Sequence, residues 1–440
     1  MKKLLVILLV TAMVLSLAAC GGQTTPAQST TAAQGETAAA AADDQTLTVW
    51  CWDPAFNIYA MKEAEKVYQK TNPNFKLNIV ETPWNDVQTK VTTASASGDL
   101  STLPDILLMQ DNAFQKNVIS FPDTFVDITS LGVDFSQFGA SKVAYSVVEG
   151  KNYGVPFDNG AVIHALRTDV LAEAGLSIAD FTDITWDQYI ELGKVVLEKT
   201  GKPLLSSTAE SDLLPMMMQS AGASFFDKDG NPDITNNATL KKVFETYVKL
   251  IESGVLIHVN DWDQYIGSMT NSTVGGTING CWIIGSIQTA KDQSGKWAIT
   301  NMPKLDGIPT ATNYSNNGGS SWAVTANSKN PQLAADFLAK TFAGSVEFYE
   351  TILPASGALT SYAPAGKSTV YSQPQEFFGN QPIYALITEF AGKVPSNYTG
   401  AYYYEARDAL AAALTNAVSG ASIDDELQTA EDIIKTAMGQ

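Results

Sequence analysis

The chain has 440 residues, 45% of them hydrophobic and 17% charged, and 27 Lys and Arg stand against 46 Asp and Glu for a formal charge of −19. A body this acidic argues against nucleic acid and anionic lipid surfaces as partners, while its length and apolar content suffice for two domains with filled cores. With charges scarce but 8 Trp and 16 Tyr present, the polar work falls on Asn, Gln, Ser, Thr and Tyr. That chemistry suits a neutral, hydroxyl-rich ligand.

The chain begins with Lys2 and Lys3, an apolar run from Leu4 to Leu17, and then Ala18-Ala19-Cys20-Gly21-Gly22. The run is shorter than the roughly 20 residues that cross a bilayer, and small residues follow it, so an export signal is expected rather than a membrane helix. Leu17-Ala18-Ala19-Cys20 resembles the lipobox of bacterial lipoproteins. The resemblance implies removal of residues 1–19 and lipidation of the Cys20 thiol, which would tether the body to the outer face of the cell membrane. From Gly21 to Gln45 there is no aromatic or branched aliphatic residue, so this stretch cannot offset its own ordering entropy and reads, with Cys20, as a flexible leash over 20–45.

From Leu47 the texture changes. LTVWCW alternates like a strand, and after Asp53-Pro54 the residues Phe56, Tyr59, Ala60, Ala64, Val67 and Tyr68 recur at helical spacing until Asn72-Pro73-Asn74. The strand KLNIV follows, then a helix opened by Asn85 with Gln88 three residues on, then the apolar run from Asp105 to Met109. Strand, helix, strand, helix, strand implies a parallel sheet covered by helices. A second α/β unit follows GVPFDNG: the strand AVIHALR, the helix TDVLAEAG, and a helix opened by the capping box Thr185-Trp186-Asp187-Gln188. A last helical region runs from Ala401 to Met438, broken at Ser419-Gly420 and restarted by Ser422 with Asp425.

Several motifs fail on their chemistry. Cys51 and Cys281 are too few for a disulfide framework and read as small buried hydrophobes, and His164 and His258 stand alone, with no CxxC or HExxH, so zinc is not expected. No Ser lies in GxSxG, which leaves no nucleophile-base pair. Gly366-Lys367-Ser368 lacks the first glycine of a phosphate loop. Asp227 to Asp233 has acidic spacing but no closing Glu, and its Gly and Pro suit a turn. A pair of carboxylates for glycoside hydrolysis is defined by distance rather than by sequence.

Read in order, LTVWCWD, PDILLMQD, YGVPFDNGAVIHALRTDVLAEAGL, TWDQY, GTINGCWIIGSI, GGSSWAVTANSKNPQLAADFL and GAYYYEARDALAAALTNAVSGASIDDEL resemble the carbohydrate-binding extracellular solute-binding proteins of ABC transporters, the family that includes maltose-binding protein. The resemblance spans Leu47 to about Met438. It implies an α/β fold of two lobes joined by hinge crossovers, with the ligand held in the cleft between them. The expected organisation is lobe 1 over 46–160, lobe 2 over 161–318, a return to lobe 1 over 319–348 after a crossing near Phe157 to Ile163, and a C-terminal region over 349–440 mainly in lobe 2. The implied partners are a sugar or oligosaccharide and the membrane permease subunits, with the chain acting as a monomer, without a cofactor and without catalysing a reaction. Other readings are a lipid-anchored glycoside hydrolase and a binding protein for a polyamine.

Sugar capture needs an aromatic ring for the C–H face and carboxylates, amides or Arg for the hydroxyl rim. Trp282 matches a position where the family stacks an aromatic on sugar, and Tyr403 matches another, with Tyr402 and Tyr404 competing for that role. Asp111 resembles the family's hydroxyl acceptor at the carboxyl end of a strand. Trp52 and Asp53 end the first strand by the same logic, although Trp50 shares a face with Trp52. Asp158 is expected at the crossing, as ligand acceptor or as a brace for the hinge turn. Trp84, Glu210, Asp212 and Arg407 complete the candidates, Arg407 also being a natural salt-bridge partner. Met109 stands where the family carries an aromatic, which departs from a maltodextrin site.

Overall fold

The computed structural model describes residues 45–54, 56–208, 212–396 and 398–440. The expected export signal, Cys20, the expected leash up to Asp44 and the candidate Glu210 lie outside the described residues. The strands that position the site are, in chain order, β1 (Thr46–Cys51), β2 (Lys76–Glu81), β3 (Ile106–Gln110), β4 (Val155–Pro156), β5 (Val162–Arg167), β6 (Leu205–Ser207), β7 (Leu256–His258), β8 (Gly276–Gly280), β9 (Trp297–Thr300) and β10 (Ser320–Val324).

The first lobe is built on the sheet β2-β1-β3-β10-β4. β2, β1 and β3 are parallel, as strand-helix alternation requires, while β10 enters antiparallel to β3 with Trp322 opposite Leu108. Period two assigns the faces. Val49, Cys51, Ile106, Leu108, Trp322 and Val324 enter one core, and Trp50, Leu107, Met109 and Ala323 the other. Both faces are apolar, so helices must cover both. Asn57–Gln69 brings Ile58, Met61 and Ala64 to the first face, and Trp84–Ser97 brings Val87, Val91 and Ala94 to the second. This second helix starts directly after Pro83, not at Asn85. The ring fixes φ at −52° and removes the backbone donor that another strand residue would use.

The second lobe holds the antiparallel sheet β8-β5-β9 and the parallel pair β6-β7. Its largest core lies under the helices Trp186–Thr200, Ala238–Glu252, Tyr403–Val418 and Ile423–Ala437. The Thr185 capping box forms in both directions, Gln188 N–H donating to Thr185 and Thr185 N–H donating to Gln188 Oε1 at 2.9 Å. The C-terminal helices break after Val418, and Ser422 caps the second by accepting from Asp425 N–H. Asp227 Oδ1 accepts from the N–H groups of Asp229 and Asn231 at 2.8 and 2.9 Å, a turn closed by its own side chain. Cys51 and Cys281 are both unpaired and buried, one in each lobe.

Three stretches of chain run side by side where the lobes meet. Phe157 N–H donates to Ser320 O, Asn317 N–H to Gly160 O, and Asn159 N–H to Leu359 O. Asp158 forms a bridge with Thr360, and Ala161 with Asn316. Beyond residue 348 the chain still packs mainly on the first core, through Tyr349, Ile352, Ala358, Tyr362 and Ala365, while Leu353 and Leu359 reach the second-lobe core, and Tyr371 is the first of a later run in the second lobe. The expected crossing after Phe348 is therefore corrected to one between about 359 and 371. Its cause is the helix Val346–Ser356, whose apolar face covers the helix Asn57–Gln69.

Candidate functional site

A cleft of about 740 Å³ lies between the lobes, within the roughly 300–1,000 Å³ usual for small-molecule sites. Its first wall comes from the carboxyl ends of β1 and β3, where side chains leave the sheet without another strand to cover them: Trp52 and Asp53, whose backbone N–H groups donate to Asn57 Oδ1, then Gln110 and Asn112. Its floor is the crossing, with Asp158, Asn317 and Gly318 to Ser320. The second wall carries Asp212, Trp282, Gln288, Tyr403, Tyr404 and Arg407.

Trp282 is the best-fixed aromatic of the cleft. It follows β8, half-buried, and its indole Nε1–H donates to Asn317 O at 2.8 Å. Gly280 makes this placement possible, since a Cβ there would lie 2.3 Å from the indole nitrogen and 2.4 Å from Asn317 O. The indole edge is thus satisfied by protein. Behind it Trp262 packs at 5.8 Å between ring centroids.

Asp158 and Asp111 brace the floor. Asp158 Oδ1 accepts from both the backbone N–H and the hydroxyl of Ser320, at 2.7 and 2.6 Å, so its first duty is to hold β10 against the crossing. Asp111 is 1% exposed and does not line the cleft; its carboxylate pairs with Lys142 and accepts from Ser321 Oγ at 2.8 Å. The expectation of Asp111 as a hydroxyl acceptor is corrected on this geometry. A 3₁₀ turn over Asp111–Ala113 follows β3 and turns Gln110 and Asn112 to the cleft while Asp111 points inward. Burial raises the Asp111 pKa to about 6 against the opposing pull of Lys142. Gly319, at φ 93°, passes over this pair, and a Cβ there would meet Asp111 Oδ2 at 2.6 Å.

The three tyrosines divide their roles. Tyr403 lines the cleft while stacking on Phe225 at 5.9 Å, and burial lifts its pKa to about 12. Tyr404 lies across the cleft and donates to Gln110 Oε1 at 3.2 Å. Tyr402 packs against the second-lobe core. Arg407 lines the cleft, its guanidinium 5.3 Å from the Tyr404 ring and 3.2 Å from Asp408, so it is at once wall and ion-pair partner.

Trp52 is in the cleft and Trp50 is in the core, which resolves their shared face. Trp84 does not line the cleft; it packs on Trp52 at 5.6 Å, so it supports that ring from behind. Asp53 is at the surface of the cleft, its Oδ1 accepting from Phe56 N–H at 3.0 Å. Sequence reasoning missed Gln110, Asn112, Asn317 and Gln288. The first two flank Asp111 and were legible as polar residues ending an apolar run, and Asn317 sits in the turn-rich Asn316-Asn317-Gly318-Gly319.

Two α/β lobes closing over a cleft of aromatic rings, amides and a few charges define a receptor for a small polar solute. The chain belongs to the bacterial extracellular solute-binding proteins, whose family model matches residues 63–377. It is 39% identical over 387 residues to a lactose-binding protein of Rhizobium radiobacter, covering 88% of this chain and 91% of that one. It is 27% identical over 305 residues to an arabinooligosaccharide-binding protein of Bacillus subtilis, covering 67% and 68% respectively. Among solved structures, an extracellular solute-binding protein of family 1 superposes with a TM-score of 0.77 at 22% identity, over 89% of this chain and 99% of that one. The protein is therefore a binding protein and not an enzyme, which removes the glycoside hydrolase reading.

Proposed function

We propose that this protein captures a di- or oligosaccharide outside the cell and delivers it to the permease of an ABC transporter. The observation that carries this reading is Trp282, whose indole is fixed by Asn317 and Gly280 at the cleft wall. An aromatic ring held there would pack on the apolar face of a sugar, with Asn112 and Gln288 to meet hydroxyls. The similarity to a lactose-binding protein over most of both chains supports a short β-galactoside as the first ligand to try. Lipidation at Cys20 would hold the receptor beside its permease, and residues 20–45 would set its reach, raising the effective concentration without a tight docking surface. Trp52, Asp53, Trp282, Tyr403 and Arg407 are the proposed ligand contacts, and Asp158 is the proposed brace of the hinge. Mass spectrometry of the ligand that co-purifies with the protein tests the reading. A saccharide is expected, and a polyamine would overturn it.

A further inference from the structure

We propose that Tyr404 and Gln110 close one end of the cleft, so that the site takes the terminus of a glycan and not an internal stretch; this rests on the sugar reading above. Gln110 ends β3 in the first lobe and Tyr404 opens the helix Tyr403–Val418 in the second, and both line the cleft. Tyr404 Oη donates to Gln110 Oε1 at 3.2 Å. A sugar ring passing between them would need about 3.5–4.0 Å of contact distance on each side, so nothing threads this point while the bond stands.

The bond is the cleft-facing layer of a wall. One residue beyond Tyr404, Glu405 pairs with Lys116 at 2.6 Å, and the Lys116 ammonium lies 5.9 Å from the Tyr404 ring. Further in, Gln115 Oε1 accepts from Gly400 N–H at 2.6 Å and from Thr399 Oγ1 at 3.1 Å. Gln115 and Thr399 are 6% and 2% exposed. Tyr145 Oη donates to Gln219 Oε1 at 2.8 Å, again from one lobe to the other and again buried. Contacts this buried exclude solvent as well as ligand, unlike a rim of surface ion pairs. On the cleft side, Arg407 lies over the Tyr404 ring and presents a guanidinium to whatever ends there. A chain end carries a free hydroxyl at the point where an internal residue would carry a bulky glycosidic substituent, so the wall discriminates by exclusion.

The test is calorimetric titration with lactose and with arabinobiose, each unmodified, with a naphthyl group at the reducing end, and with the same group at the non-reducing end. One of the two labelled forms is expected to bind at least about tenfold more weakly than the unlabelled sugar, and Tyr404→Ala is expected to bring that ratio to within about threefold. Reading the ratio cancels any general loss of affinity. Lys116→Ala, at a partly exposed pair, is the second variant should Tyr404→Ala fail to fold, and a smaller change in the same direction is expected. Equal tolerance of both labelled ends in the natural protein overturns the wall, as does an end preference that both variants leave unchanged. If neither sugar binds in any form, the sugar reading fails and the wall falls with it.

Discussion

Replacing Trp282 with Ala removes a cleft ring whose indole edge is held by Asn317 O. If a sugar face covers about 60 Å² of apolar indole surface, the lost burial is about 1.5 kcal/mol, or roughly a tenfold rise in Kd. The lost Nε1–H bond leaves Asn317 O without its indole donor and loosens the floor, which adds about 0.5–1.5 kcal/mol. Together these give a rise of about 30- to 150-fold. Trp282→Phe keeps a ring but loses the bond, so it should fall between the natural protein and the Ala variant. Trp262→Ala, behind Trp282 and outside the cleft lining, should shift Kd by about threefold or less. Calorimetry with lactose reads all three. A Kd for Trp282→Ala within a factor of two of the natural protein, in a variant that still unfolds cooperatively, refutes the stacking argument.

The remaining predictions concern the supports of the site and its address. Gly280→Ala should weaken sugar binding by about tenfold and cost about 1–3 kcal/mol in urea unfolding, because the added methyl overlaps the Trp282 indole and Asn317 O. Lys142→Met leaves the Asp111 carboxylate buried and unpaired, and should cost about 3–5 kcal/mol of stability by the same measurement. Asp111 has its folded pKa raised to about 6, above the value of an unfolded chain, so the folded state holds its proton more tightly. The contribution is therefore stabilising in acid and is lost as pH rises from about 4 to about 6, and the stability of the natural protein relative to Asp111→Asn should fall across that window. Cys20→Ser should move the protein from the membrane fraction to the medium while leaving sugar affinity unchanged, and a weaker Kd in the released protein would count against a purely tethering role.

Local pattern carried most of the fold. The alternation in LTVWCW, the apolar run ending at Met109 and the helices between them were enough to place β1 and β3 in one parallel sheet, and the Thr185 capping box marked its helix start correctly. Asn85 misled because Pro83, two residues earlier, sets the backbone into the helix first. At the site, Trp52 was legible from the end of its strand, where a side chain leaves the sheet without another strand to cover it, and Trp282 only through the family resemblance; both line the cleft. Asp111 was not, because its partner Lys142 is 31 residues away and the turn after β3 decides which of three consecutive polar residues faces the cleft. The Tyr404 bridge to Gln110 was invisible for the same reason: 294 residues separate them, and only closure of the two lobes brings them together.

Capture without chemistry separates this receptor from a hydrolase. Its most direct test is a calorimetric titration of the purified protein with lactose, followed by chromatography of the sugar recovered from the cell. Saturable binding at one sugar per chain and recovery of the intact disaccharide are expected. Free galactose and glucose in the recovered fraction would contradict it.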